Sequence, residues 1–271
     1  MPSVSLEGTN IWYEIGGEGP NLLQIGGAGF AHDNFANVVD DFRQHYSVID
    51  FDLRGYGNSD RPDQDYSMET WADDIADMLG QIGITRTHVH GTSMGGMVAI
   101  KLAAKYPDLI DKLVIGCAAA KCDRTARIHF ELWKFIARNA GMDSEELATE
   151  ISTKALTRQF LDTDQGKASI EHVRGMLGRN CSVNVFSSAC DAMIEMDLRP
   201  DLPNISAPTL VMDGDVDVLT PLDMGPDGAG NRYIAEQIPN SELYIFKDCG
   251  HTNLLEYPEE SIDVIRRFLD A

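Results

Sequence analysis

The feature that most constrains this chain is a repeating alternation of short apolar runs with longer amphipathic ones. The run Asn21 to Ile25 ends in Gly26-Gly27-Ala28-Gly29-Phe30, and Tyr46 to Phe51 ends in the turn-rich stretch Asp52 to Asp60. Thr87 to His90 leads through glycines into Met97 to Ala104, and Leu113 to Ile115 follows. Between these runs the period changes from strand to helix. Phe35, Val38, Val39 and Phe42 fall on one face and predict a helix from Asn34 to Gln44. Trp71, Ile75, Met78, Leu79 and Ile82 predict another, with Ser67 as N-cap and Gly83 closing it. Strands that alternate with helices must be joined by crossovers, which gives a mostly parallel sheet covered by helices on both faces. Two short strands around Gly8-Thr9, Val4 to Glu7 and Asn10 to Ile15, precede this pattern. At 271 residues the chain can build one large α/β domain or two small ones.

The rhythm breaks once. From Lys121 to Met196 the pattern is helical, as in Ile128 to Ile136, with no clear strand. It resumes with strands at Pro208 to Met212 and Glu242 to Phe246 and closes with a helix from Pro258 to Leu269. The expected division is a core of residues 1–120 and 197–271 with a helical cap, 121–196, inserted after the sixth strand. Such an insertion covers the carboxyl ends of the strands, where ligands bind in open parallel sheets.

Bulk properties exclude some partners. A net charge of −21 repels nucleic acid and anionic membrane surfaces alike. No apolar run reaches the ~18 residues of a membrane span, and Met1 to Glu7 has neither the basic stretch nor the apolar core of a signal peptide. The 5 cysteines are odd in number, scattered and without a C-x-x-C pair. They read as reduced thiols of a cytoplasmic protein, with Cys181 and Cys190 the one pair considered for a bridge.

Chemistry is concentrated at Gly91-Thr92-Ser93-Met94-Gly95, a G-x-S-x-G at a strand-to-helix junction. A nucleophile on so sharp a turn leaves no room for Cβ atoms two residues to either side. The helix that starts after Ser93 also aims free N–H groups and its positive end at developing charge. A serine hydroxyl needs a base, and the base needs an orienting acid, both from later strand ends. His251, directly after the last expected strand, is the candidate base; His88 and His90 lie in a strand and are expected to pack, while His45, His129 and His172 have no partner motif. The acid lies in the loop Asp213 to Pro221, with Asp217 the candidate, Asp213 and Asp215 its rivals, and Asp123 a more distant one. Two backbone donors should form an oxyanion hole: the N–H of Met94 and one from the glycine-rich loop, Ala28 with Gly27 beside it. That loop lacks the spacing of a phosphate loop and its lysine. No metal-ligand set or cofactor motif stands out.

Over nearly its whole length the chain resembles the α/β-hydrolase superfamily, in particular its small capped esterase, lactonase, haloperoxidase-like and C–C hydrolase branch. The resemblance rests on Gly26 to Phe30, Asp52 to Asp60, the Ser93 turn, and Gly250-His251 with Glu256-Tyr257-Pro258-Glu259. The G-x-x-D-x-x-x-P spacing from Gly214 to Pro221 matches the acid loop of that family and implies Asp217 over Asp215. Two departures are visible. Gly26-Gly27 stands where the family usually has His-Gly, and the stretch Leu222 to Gly230 is longer than in similar proteins, which gives it a role in shaping the pocket or a subunit contact.

The serine excludes the branches that use an aspartate nucleophile. The resemblance therefore implies acyl transfer on a carboxylic ester or lactone. C–C hydrolysis or perhydrolysis could use the same residues, and a non-catalytic small-molecule receptor is the alternative from another class. Large apolar residues of the insertion, Trp133 and Phe186 among them, together with Gly27, Phe30 and His32, are the expected pocket. The expected partner is a small-to-medium, largely apolar substrate, and a homodimer is compatible with the reading.

Overall fold

The computed structural model describes residues 2–271. One sheet of 8 strands runs in the order β1-β2-β4-β3-β5-β6-β7-β8. Its strands are β1 (Ser3–Leu6), β2 (Thr9–Gly16), β3 (Asn21–Ile25), β4 (Ser47–Phe51), β5 (Thr87–Thr92), β6 (Ile110–Gly116), β7 (Thr209–Gly214) and β8 (Ser241–Phe246). The β1–β2 hairpin and the β2–β4 pair are antiparallel, and every later pairing is parallel. The expected mostly parallel sheet is therefore present, and its buried strands carry the continuous apolar runs that two covered faces require.

The order 4-3-5 contains a reversal. The chain leaves β3 towards β4 and then returns to the other side of β3 for β5. At such a switch point the loops after the two strands diverge and leave a crevice. The loop after β3 is Gly26 to Gly29, and the residue after β5 is Ser93. Register places Ile25 opposite Gly91, so the glycine-rich loop and the serine turn leave the sheet side by side.

The first expected helix is corrected. Instead of a continuous helix over Asn34 to Gln44, a 3-10 turn at His32–Phe35 precedes a single turn, α1 (Val39–Phe42). Phe35, Val38 and Phe42 are buried as their spacing required, but Val38 leaves helical geometry at φ −132° and ψ −13°. Asn34 uses its side-chain oxygen to accept the Gly27 N–H at 2.9 Å. Helix α2 (Met68–Gln81) matches expectation, with the Ser67 hydroxyl capping Thr70 N–H. It is followed by α3 (Met94–Lys105), which starts at the serine turn and is buried along nearly its whole length.

Five helices separate β6 from β7: α4 (Arg124–Ala140), α5 (Glu145–Ala155), α6 (Arg158–Leu161), α7 (Asp164–Asn180) and α8 (Val183–Glu195). Asp123, Ser144, Thr157, Thr163 and Ser182 each cap one of them through a side-chain oxygen. Helices α9 (Asn231–Gln237), α10 (Asn253–Glu256) and α11 (Pro258–Asp270) complete the chain. The glycine-rich stretch before α9 fastens the base of the inserted helices. Lys121 bridges both Asp197 and Ala229, and Asp123 caps α4 with one carboxylate oxygen while the other accepts Gly225 N–H at 2.8 Å. All 5 cysteines are buried and unbridged. Among the described residues no helix is long and apolar enough to cross a membrane.

Candidate active site

Ser93 sits at φ 57° and ψ −124°, a backbone conformation rare for a residue with a side chain, held because its surroundings leave no alternative. Its N–H donates to Gly116 O at 2.8 Å. A Cβ at Gly91 would lie 2.3 Å from Gly95 O, and one at Gly95 would lie 2.0 Å from Ile25 O. The two glycines of the motif are thus steric requirements of the approach between the turn and β3.

His251 follows β8, and its backbone N–H donates to Ala155 O at 2.8 Å. Its Nε2 lies 3.0 Å from Ser93 Oγ, and its Nδ1 lies 2.7 Å from Asp217 Oδ2. Asp217 is buried, and its Oδ1 accepts the N–H of Leu219 at 2.7 Å and of Thr220 at 3.3 Å. The Thr220 hydroxyl lies 3.0 Å from Asp217 Oδ2 and 3.2 Å from His251 Nδ1. Burial opposes ionisation of Asp217, but the facing imidazole and the two N–H donors hold its pKa below the usual carboxylate value. The three groups named from the sequence are therefore contiguous.

The rivals for the acid fall elsewhere. Asp215 is exposed. Asp123 is occupied as the cap of α4. Asp213 is fully buried and binds Asn231 Nδ2 at 2.9 Å and Gly214 N–H at 2.8 Å. Burial, reinforced by the neighbouring Asp217 carboxylate, pushes the Asp213 carboxyl well above the usual range, and its two oxygens are taken up by Asn231 and Gly214 rather than by His251.

Gly27 lies beside Ser93, where a Cβ on it would stand 3.2 Å from Ser93 Cβ, and Ala28 lines the same cavity. Met94 opens α3, so its N–H is among the first helix donors that have no intrahelical acceptor. Its side chain is fully buried, with Sδ 3.9 Å from the Tyr56 hydroxyl.

Ser93 and His251 open onto a cavity of about 370 Å³. Its floor is Gly27, Ala28, Phe30 and Asn34 from the loop after β3 and Thr92 from β5. Its roof comes from the inserted helices: Phe130 and Trp133 of α4, Ile151, Ser152 and Ala155 of α5, and His172, Val173 and Met176 of α7. Gly27, Phe30 and Trp133 are where the sequence put them. Two expected pocket residues are corrected. His32 does not line the cavity: its backbone N–H and its Nδ1 both meet Asp52 Oδ1 at 2.8 Å, and its ring lies against Trp12. Phe186 is fully buried behind the wall, stacked on Trp133 with ring centres 6.4 Å apart and pressed towards Gly29. Asn34, Ser152 and His172 were not anticipated. Each reaches the cavity only through tertiary packing, and no local motif marks them.

A sheet with this switch point, a serine on a strained strand-to-helix turn and a His–Asp pair from the last two strand ends define a hydrolase of the α/β type. The family model described as "alpha/beta hydrolase fold" matches residues 20–258, and the chain belongs to that family. Among its relatives, 3-oxoadipate enol-lactonase 2 of Acinetobacter baylyi is 28% identical over 220 residues, covering 80% of this chain and 76% of the relative. A pimeloyl-[acyl-carrier protein] methyl ester esterase of Chromobacterium violaceum is 25% identical over 268 residues, 97% of this chain and 99% of the relative. The crystal structure of the enol-lactonase from Burkholderia xenovorans LB400 superposes with a TM-score of 0.88 at 24% identity, covering 100% of both chains.

Proposed function

We propose that the protein is a serine hydrolase that cleaves a carboxylic ester or lactone of a small to medium, largely apolar substrate. The observation that carries this reading is the chain Ser93 Oγ–His251 Nε2 at 3.0 Å and His251 Nδ1–Asp217 at 2.7 Å, opening onto the cavity. Ser93 Oγ attacks the carbonyl carbon as His251 Nε2 takes its proton. Asp217 fixes the tautomer that leaves Nε2 free and stabilises the imidazolium. The N–H groups of Ala28 and Met94 receive the charge on the carbonyl oxygen. His251 then returns the proton to the departing alkoxide, or to the alkoxide end of an opened lactone. Water, activated by the same histidine, releases the acid from Ser93.

Residues 121–196 act in this reading as the cap that sets substrate shape over a core of 1–120 and 197–271. The cavity has no Lys or Arg among its described lining residues, while Asp33 lies at its wall. A strongly anionic substrate would meet no counter-charge there. The two enzymes named among the relatives, a lactonase and a methyl ester esterase, act on bonds of this class. The test is turnover of short p-nitrophenyl esters and of a simple lactone by the wild type and Ser93→Ala. Loss of turnover by at least about 10³-fold is expected; undiminished turnover in the variant overturns the assignment.

A further inference from the structure

The loop that carries His251 is pinned through two consecutive backbone N–H groups. His251 N–H donates to Ala155 O at 2.8 Å, at the last residue of α5. Gly250 N–H donates to Glu256 Oε1 at 3.0 Å. Glu256 is half-buried at the end of α10, and its second oxygen is in use as well. Oε2 accepts the Thr157 N–H at 3.3 Å and the Thr157 hydroxyl. Thr157 in turn caps α6, its hydroxyl accepting the Phe160 N–H at 3.2 Å. One carboxylate therefore ties the α5–α6 junction of the inserted helices to the backbone before His251. The approach is close: a Cβ on Gly250 would lie 2.6 Å from Ala155 O and 2.9 Å from Glu256 Oε1. Among the described lining residues of the cavity are Ala155, Leu156 and His251, but not Thr157, Gly250 or Glu256. Any effect of Glu256 on turnover must pass through the backbone that it holds.

We infer that Glu256 is a positioning residue for His251, which sets the imidazole between Ser93 and Asp217 by holding the Gly250 N–H against the α5–α6 junction. This rests on the hydrolase reading above. His251 has to keep Nε2 at 3.0 Å from Ser93 Oγ while Nδ1 stays at 2.7 Å from Asp217 Oδ2. A shift of its backbone carries over to both ends of the ring. Without the Glu256 carboxylate the Gly250 N–H loses its acceptor, and the loop keeps only the bond to Ala155 O. A misplacement on the order of 1 Å at a reacting group costs up to about 10²-fold in rate. Acylation and deacylation both pass a proton through His251, so whichever step is slower reports on its position.

The experiment measures kcat and KM for p-nitrophenyl acetate and p-nitrophenyl hexanoate in the wild type and in Glu256→Ala, Glu256→Asp and Glu256→Gln. Rates are expressed per Ser93 site titrated with a fluorophosphonate, so that unfolded protein does not count. Glu256→Ala should lower kcat for both esters by about 10-fold or more, with KM held within about 2-fold. Glu256→Asp keeps the charge but withdraws it by one methylene, and should lower kcat by about 3-fold or more. Glu256→Gln retains a carbonyl oxygen for the Gly250 N–H and should bring kcat back to within about 3-fold of the wild type. Wild-type kcat per site in Glu256→Ala, or in Glu256→Asp should the alanine variant not fold, makes Glu256 a purely structural group and overturns the inference. A loss that falls on KM and grows from acetate to hexanoate also overturns it, since Glu256 would then hold the roof and not the histidine. Equal losses in the glutamine and alanine variants overturn the bond to Gly250 as the cause. Ser93→Ala, run alongside, keeps the two readings apart: turnover that survives it overturns the hydrolase assignment itself, whatever the Glu256 variants do.

Discussion

His90 offers a quantitative test of how the sheet beneath Ser93 is built. It lies on β5, three residues before Ser93, is fully buried, and neither ring nitrogen has a partner among the described residues. Its ring meets the edges of Phe35 and Phe42 at 5.2 and 6.4 Å, and its register neighbour on β3 is Gln24. Burial alone lowers its pKa from 6.5 to about 3. Between those values the unfolded chain binds a proton that the native protein refuses, so stability is full above pH 6.5 and falls as pH drops towards 3. At pH 4.5 the difference is roughly 2 pH units, worth roughly 2 to 3 kcal/mol beyond the small loss already present at pH 7.

The perturbation is His90→Phe, which keeps a ring on the apolar face and removes the titration. Urea unfolding of both proteins at pH 7 and pH 4.5 gives two stability differences. Their change with pH isolates His90, because carboxylates common to both proteins, Asp217 included, cancel. Relative to the variant, the wild type should lose roughly 2 to 3 kcal/mol between the two pH values. A difference that stays the same at both would refute the reasoning, since it would mean that His90 takes up its proton in the folded state.

Two further outcomes test the site. Asp217→Asn should lower kcat by on the order of 10⁴, as in a serine protease that loses its triad acid, while the exposed Asp215→Asn should stay close to wild type; comparable losses in the two would displace Asp217. Gly95→Ala would drive its Cβ to 2.0 Å from Ile25 O and should destabilise the protein by about 2 kcal/mol or more in chemical denaturation. Gly80→Ala, on α2 where a Cβ meets nothing within 4 Å, should instead gain about 0.5–1 kcal/mol.

The parts of the fold visible in the sequence were those set by local rules. Leu22, Val48 and Val114 belong to short apolar runs that read as doubly covered strands, Val89 to a short β-rich run, and all four are fully buried. Ser67 before α2 and the glycines around Ser93 carry their own steric or capping reasons. The helix expected from Asn34 failed for a non-local reason. Its apolar spacing was satisfied by a bent segment in which the Asn34 side chain accepts the Gly27 N–H beside Ser93. His32 shows the same limit. Its closeness in sequence to the glycine-rich loop suggested a pocket wall, yet Asp52, on another loop, holds its ring against Trp12.

By itself the sequence determined which groups could be brought together at the strand ends: a serine between glycines, with an acid and a histidine after later strands. The tertiary structure decided which residues line the cavity. The inserted helices place Trp133 in the wall and Phe186 behind it, and bring Ser152 and His172 to the cavity. Helical periodicity identifies which residues share a face, but whether a face meets core or cavity depends on which other helix packs against it. That choice is made between segments far apart in the chain, and no local pattern records it.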